Sequence, residues 1–368
     1  MKLALVVPGG VDRSGEKRVI PALLALVRRL SAVHEVHVFA LSQEPGPDTW
    51  MLEGARVHNV GADWTRTRAV RAILREHRAA PFQVVQSIWS GAAGTVAVTA
   101  ARLARRPCLV HVAGVELVAL PELECGGRRH WRGRVREALN LRGAAAVTAA
   151  SAPIVESLAA LGYRAERVPL GVDRETWPSR PAQRRAGRGP VQLIHVASLN
   201  PVKDQTTLLR ALATLAHDGV DFRMDIIGED TLGGRLQALS RELGLSPRVR
   251  FHDFLTRRQL RPLVEAADIH VVSSRHEAGP LVVLEAAVAG VPTVGTRVGH
   301  LAEWSPTAAV AVDVGDAGAL AAAIRSLAVD EDLRLRIAQQ AWRRAMAEDA
   351  DYTAARFQEL YAQASSGG

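Results

Sequence analysis

The sequence predicts an α/β protein made of two doubly wound domains. Three observations predict it. Short apolar runs alternate with longer amphipathic ones along nearly the whole chain, the pattern of strands joined by covering helices. The strand candidates are β-branched or apolar throughout, as in Val36-His37-Val38-Phe39-Ala40, which suits parallel strands buried on both faces. The chain has 368 residues, too many for one ordinary core at roughly 100–200 residues per domain.

In the first half the strand candidates are residues 2–8, 35–40, 56–60, 83–87, 107–112 and 145–149. Helix candidates are 17–31, 65–79, 92–104, 132–141 and 152–161. The opening apolar run stops at Pro8-Gly9-Gly10. It is too short for a signal-peptide core and reads as a first buried strand. Residues 179–190 have no apolar periodicity and read as a linker. A second set follows: strand 191–197, helix 203–216, strand 222–228, helix 231–243, strand 248–252, helix 258–267, strand 269–273, helix 281–289, and strands 291–295 and 308–313. The tail, 316–364, reads as helix broken near Val329-Asp330 and Asp349-Ala350-Asp351. The expected domains are residues 1–178 and 179–350, facing each other across a cleft. Ligands in open α/β sheets bind beyond the carboxyl ends of the strands, so chemistry is sought on loops that follow strands.

Hydrophobic residues make up 48% and charged residues 23%, which excludes disorder as the main state. Two cysteines, Cys108 and Cys125, exclude a disulfide framework, and no Cys/His cluster has zinc spacing. A reducing cytosol is the expected compartment, and no metal is expected. No apolar stretch approaches the roughly 20 residues needed to cross a bilayer. The net charge is +8, and all of the surplus lies in residues 1–175, with 24 Lys and Arg against 16 Asp and Glu. That asymmetry suits an anionic partner. An Arg-rich chain with only three lysines, Lys2, Lys17 and Lys203, suits a compositional origin equally.

The most specific motif is Ser273-Ser274-Arg275-His276-Glu277-Ala278-Gly279-Pro280-Leu281, followed by Val282-Val283-Leu284-Glu285-Ala286-Ala287. Pro280 suits the first turn of a helix. The free N–H groups of that turn form a ready site for a phosphate or a sugar hydroxyl. Glu285, in an otherwise apolar helix, is costly to bury without a partner such as a ribose. A wet helix face or an arginine partner is the plain alternative.

The second motif is Ala197-Ser198-Leu199-Asn200-Pro201-Val202-Lys203-Asp204. A lysine at a helix start opposes the dipole unless an anion is bound. A diphosphate or plain solvent would each satisfy it. The loop Pro8–Glu16, containing Gly15, would let backbone approach a phosphate, although it is not the dinucleotide fingerprint. His111 and Glu116 at a strand end would face the cleft, or the histidine would be a core residue bonded to backbone. Arg128–Arg136, with Trp131 embedded, suits an anionic membrane surface or a solvated helix face.

Together these motifs resemble the retaining glycosyltransferases of family 4, which have the GT-B fold of two Rossmann-like domains. The resemblance covers nearly the whole chain. It rests on the Glu277–Glu285 spacing followed by Ala289-Gly290-Val291-Pro292-Thr293-Val294, on Val168-Pro169-Leu170-Gly171-Val172-Asp173, on Ile226-Ile227-Gly228 and on Ala266-Ala267-Asp268-Ile269. The end helix around Tyr352–Tyr361, within 351–364, resembles the one that crosses back to the first domain.

The resemblance implies an NDP-sugar donor held mainly by the second domain. Glu285 would hold the ribose hydroxyls. Glu277 and the backbone of Gly279, Pro280 and Leu281 would contact donor sugar and phosphate. Lys203 would neutralise the diphosphate, Gly15 would close over the phosphates, and His111 would stand beside the reacting carbon. It also implies metal-independent hexosyl transfer to a hydroxyl acceptor that the sequence does not name: a glycan, a lipid or a small molecule. No separate cofactor and no nucleic-acid partner are implied. The setting would be cytoplasmic, with peripheral contact at the inner membrane face through residues 128–136 as an option. Three positions depart from the family pattern: Ser198 stands for an arginine, Glu277-Ala278-Gly279-Pro280 for E-x-F-G, and Gly299-His300 for G-G before Glu303. Arg275 or Arg297 would have to supply the charge that Ser198 lacks. An NDP-sugar 2-epimerase and a non-catalytic anion-binding protein are the alternatives.

Overall fold

The computed structural model describes residues 1–63, 65–185 and 189–366. It divides into two compact units. The first is Met1–Asp173 with Glu348–Gly368, and the second is Arg174–Ala347.

The first unit is built on an eight-stranded sheet in the order β3-β4-β2-β1-β5-β6-β7-β8. Its strands are β1 (Lys2–Val7), β2 (Glu35–Ala40), β3 (Asp48–Leu52), β4 (Ala55–Asn59), β5 (Val84–Ile88), β6 (Cys108–Val112), β7 (Ala146–Ala149) and β8 (Glu166–Arg167). All pair in parallel except the edge strand β3, which is antiparallel to β4. Every residue of β1, β5 and β6 is buried, as in parallel strands covered on both faces. The helices are α1 (Pro21–Ser31), α2 (Thr65–Ala79), α3 (Ala92–Ala104), α4 (Trp131–Arg142) and α5 (Ala152–Ala160). Helix α1 starts at Pro21, four residues later than the periodicity suggests. Residues 17–20 lead into it through a bridge between Val19 and Val11, and proline at N1 sets the start.

The second unit has a six-stranded parallel sheet in the order β11-β10-β9-β12-β13-β14. Its strands are β9 (Val191–Val196), β10 (Phe222–Ile227), β11 (Val249–His252), β12 (Ile269–Val272), β13 (Thr293–Thr296) and β14 (Val310–Val312). This is the 3-2-1-4-5-6 order of doubly wound nucleotide-binding folds, with its switch point between β9 and β12. Helices α6 (Gln205–His217), α7 (Arg235–Glu242), α8 (Arg257–Glu265), α9 (Leu281–Val288), α10 (Gly299–Trp304), α11 (Ala317–Val329) and α12 (Glu331–Ala347) cover it. The core joins Leu193, Leu208, Leu212, Ile226, Val271 and Ile324. The described parts of the expected linker, 179–185 and 189–190, have no regular structure, and the first is tied down: Arg180 N donates to Val288 O, and Arg185 N to Glu331. Positions 186–188 lie outside the described residues.

The last helix, α13 (Ala350–Ser366), belongs to the first unit. Phe357 and Tyr361 are fully buried there, and the Tyr361 hydroxyl donates to Gln86 on β5. Arg29 pairs with Asp351, and Arg167 with Glu348 at 2.6 Å. The Gly171-Val172-Asp173 segment is shaped by this packing. A Cβ at Gly171 would lie 2.2 Å from the Asp349 carbonyl carbon, so only glycine fits. Asp173 accepts from Arg28 and Arg29 of α1.

Candidate active site

The loops that follow β9 and β12 flank the switch point of the second sheet, where such folds bind ligands. After β9, Asn200 makes the turn. Its Oδ1 accepts the N–H groups of Val202 (3.0 Å) and Lys203 (3.2 Å), an Asx turn of the kind Asn-Pro favours. Asp204 then caps α6 by accepting from Thr207 N. Helix α6 therefore begins at Gln205, two residues later than expected, and Lys203 stands on the turn.

After β12, the loop is sewn to that turn. Ser273 Oγ donates to Lys203 O at 2.8 Å, and Arg275 N donates to Val202 O at 2.7 Å. The Lys203 ammonium lies 2.5 Å from Glu277 Oε1, and Ser274 Oγ donates to the same oxygen at 2.6 Å. Both side chains are part-buried, so the pair is partly shielded from water. Gly279 and Leu281 are half-buried and Pro280 is buried. Pro280 is the N-cap of α9 with extended backbone (φ −67°, ψ 113°), one position before the first turn, where the missing N–H still costs nothing. Gly299 lets the following turn abut this loop. Its φ is +46°, and a Cβ would meet Pro280 Cδ at 2.7 Å.

Glu285 lies on the buried face of α9, 8% exposed. Burial pushes its carboxyl up to about 7, against the opposing pull of Arg257 and the Trp177 N–H. The wet-face alternative therefore does not hold, and Arg257 provides a nearby positive charge. Trp177 itself is buried. At neutral pH this carboxyl stands near its midpoint, poised to accept or donate toward a hydroxyl.

Ser198 is exposed, and its carbonyl accepts from Gln205. Arg275 lies 3.6 Å from Asp204, one residue from Lys203. Arg297 is directed elsewhere, to Asp313 and to Ala311 O on β14. Of the two arginines, Arg275 is the one placed beside the lysine turn. His300 is buried against Trp304. Asn200, Ser274 and Trp177 were not legible as site residues, because each acts through a contact distant in sequence. Asn-Pro was the one local signal.

In the first unit, Gly15 follows β1 with φ +68°, and its N–H donates to Asp12 O. Asp12 is buried and bonded to Arg18, so this loop is an ordered excursion. His111 is placed otherwise than expected. It is 0% exposed near the carboxyl end of β6, its Nδ1 meets Thr148 Oγ1 at 2.9 Å, and its ring stands edge-on to Phe357. Burial lowers its pKa to about 3. Nδ1 has the Thr148 hydroxyl as its partner, and Nε2 is buried with no hydrogen-bond partner among the described residues. Glu116 is buried too: its oxygens accept from Ser90 N (3.0 Å) and Gly114 N (2.7 Å). It fastens the loops after β5 and β6 to each other.

On α4, Trp131, Val135 and Leu139 are exposed along one face, Trp131 at 63% and Leu139 at 62%. No helix among the described residues is long and apolar enough to cross a membrane.

Two family models divide the chain between them: "Glycosyl transferases group 1" matches residues 179–344, and "Glycosyl transferase 4-like domain" matches residues 19–171. The chain belongs to the family-4 type of glycosyltransferases, with the GT-B fold. Curated relatives include a glycogen synthase of Mycobacterium tuberculosis, 33% identical over 50% of this chain and 44% of that protein. A D-inositol 3-phosphate glycosyltransferase of Corynebacterium jeikeium is 34% identical over 49% of this chain and 45% of that protein. The matched stretch thus spans less than half the length of these relatives. Among solved structures, a sucrose-phosphate synthase of Thermosynechococcus elongatus aligns with a TM-score of 0.82 over 100% of both chains at 18% identity. Anabaena HepE in complex with UDP-glucose aligns with a TM-score of 0.75 at 19% identity, over 99% of this chain and 100% of that one. At such identities the likeness is one of fold.

Proposed function

We propose that this chain transfers a hexosyl group from a nucleoside-diphosphate sugar to a hydroxyl acceptor, with retention of anomeric configuration. The observation that carries the reading is the Lys203–Glu277–Ser274 cluster at the switch point, with Glu285 buried one helix turn or two beyond. Lys203 leaves Glu277 to meet the diphosphate, and Arg275 adds the charge that Ser198 lacks. The N-terminus of α9, with Gly279, Pro280 and Leu281, faces donor sugar and phosphate. Glu285 takes the ribose hydroxyls.

The reaction breaks the bond from the anomeric carbon to the β-phosphate oxygen and forms one from that carbon to the acceptor oxygen on the same face. The acceptor proton passes to the departing diphosphate. The demand on the protein is to stabilise charge growing on that diphosphate, which an ammonium and fixed N–H groups meet without reorganising. This chemistry needs no bound metal. His111 enters only as a support of the sheet.

The acceptor is a hydroxyl compound, and the exposed Trp131–Val135–Leu139 face amid arginines supports work at the cytoplasmic face of an anionic membrane. A thermal-shift screen with UDP-, GDP-, ADP- and TDP-sugars tests the donor. Bound donor raises the apparent stability of wild type and leaves the Glu285→Ala chain unmoved. Equal shifts in both would remove Glu285 from the site.

A further inference from the structure

A cavity in the first unit is not used by this chemistry. It has a volume of about 600 Å³ and lies where α2 passes the edge formed by β3 and β4. Thr49, His58, Asn59, Arg68, Arg71 and Arg75 line it. The three arginines fall at i, i+3 and i+7 of α2, on one ridge. Like charges at such spacings repel by a few tenths of a kcal/mol per pair, so the ridge is unfavourable in the free protein. Arg68 and Arg71 have no ion-pair partner among the described residues, and Arg75 reaches only Glu76, at 3.8 Å. The carboxylate of Asp48 at the rim is already taken by Arg13 at 2.6 Å and by Thr49 N at 2.7 Å.

Behind the wall, His58, His37 and Glu76 bring possible metal ligands within 4.8 Å of one another. Their charge setting opposes a cation. Glu35 is paired with Lys2, Glu76 lies beside Arg75, and Arg68 and Arg71 face the opening. His37 already bonds to His58 at 2.9 Å and to Glu35 at 3.0 Å. A divalent ion would displace a satisfied network in a field of the wrong sign, whereas an anion relieves that field.

We propose that this cavity is a binding site for a phosphate group carried on a polyol or sugar-sized body. Arg68 and Arg71 grip the phosphate as paired guanidinium forks. The exposed Thr49 offers its hydroxyl to the body, and the volume leaves room for a hexose. A soluble sugar phosphate and a phospholipid headgroup share this chemistry.

The test uses the full chain, with Arg68→Gln/Arg71→Gln and a control of equal charge loss, Arg210→Gln/Arg241→Gln. Calorimetric titration with glucose 6-phosphate and with inorganic phosphate reads the soluble source. Co-sedimentation with phosphatidylglycerol vesicles reads the lipid source. The expected result is a loss of affinity of at least tenfold in the Arg68/Arg71 chain and less than twofold in the control. If only glucose 6-phosphate behaves so, the ligand is a soluble phosphate. If only the vesicles do, it is a headgroup. Equal weakening in both variants, or no binding by wild type to any probe, overturns the proposal. An unchanged melting temperature in the double variant shows that the loss is not one of folding.

Discussion

The ammonium of Lys203 and the carboxylate of Glu277, 74 positions apart in the chain, meet at 2.5 Å across the switch point of the second sheet. The contact joins the loop after β9 to the loop after β12. It holds the lysine in place.

Lys203→Met is expected to weaken UDP or donor binding at least tenfold, about 1.4 kcal/mol. Folding stability should change by about 1 kcal/mol or less, because the pair is part-exposed and solvent screens it. Calorimetry and chemical denaturation on the same variant check both. A variant that binds donor normally would take the lysine out of the site.

Glu285 gives a pH signature. Its carboxyl is raised from 4.5 to about 7 in the folded chain, so the folded state holds the proton more tightly than the unfolded one. Stability is then fully present below about pH 4.5 and is lost as pH rises toward 7, by about 3 kcal/mol in all. Glu285→Gln should therefore raise the melting temperature at pH 8 and leave it nearly unchanged at pH 4.5. The same substitution should weaken donor binding. A variant less stable than wild type at pH 8 would contradict the raised carboxyl.

His111→Ala should cost about 1–3 kcal/mol of stability through the cavity and the Thr148 hydroxyl left behind. The kcat of the chain that remains folded should stay close to wild type. A fall of a hundredfold in kcat with an unchanged melting temperature would instead make the histidine catalytic.

On α4, Trp131→Ala/Leu139→Ser should reduce co-sedimentation with anionic vesicles several-fold while leaving donor binding intact. These side chains lie in solvent, so stability should shift by less than about 0.5 kcal/mol. Unaltered vesicle binding would remove α4 from any membrane contact.

The strands that were easiest to read are those buried on both faces, such as β1, β6 and β12, because an apolar run needs no partner to be recognised. Strand β3 was missed: Asp48-Thr49-Trp50-Met51-Leu52 is a mostly exposed edge, held by its pairing with β4. The strand β8 was missed because two residues carry no period, and the short helix α10 because its Gly299 is required by the neighbouring loop and not by local propensity. The motifs around Lys203, Glu277 and Glu285 were legible because a lone lysine among arginines and a carboxylate in an apolar helix are locally costly. The partners Ser274 and Trp177 carry no local mark, and Asn200 carries only its Asn-Pro pair.

The sequence alone determined the α/β alternation, the two-part chain, and the lysine and two glutamates to single out. These are statements about period and polarity, which neighbours along the chain settle. Only the tertiary structure decided that His111 and Glu116 are sealed inside, that Glu285 is buried, and that Arg275, not Arg297, stands beside Lys203. Burial and ion pairing depend on which distant segments arrive at the same place, and strand order, not spacing along the chain, sets that.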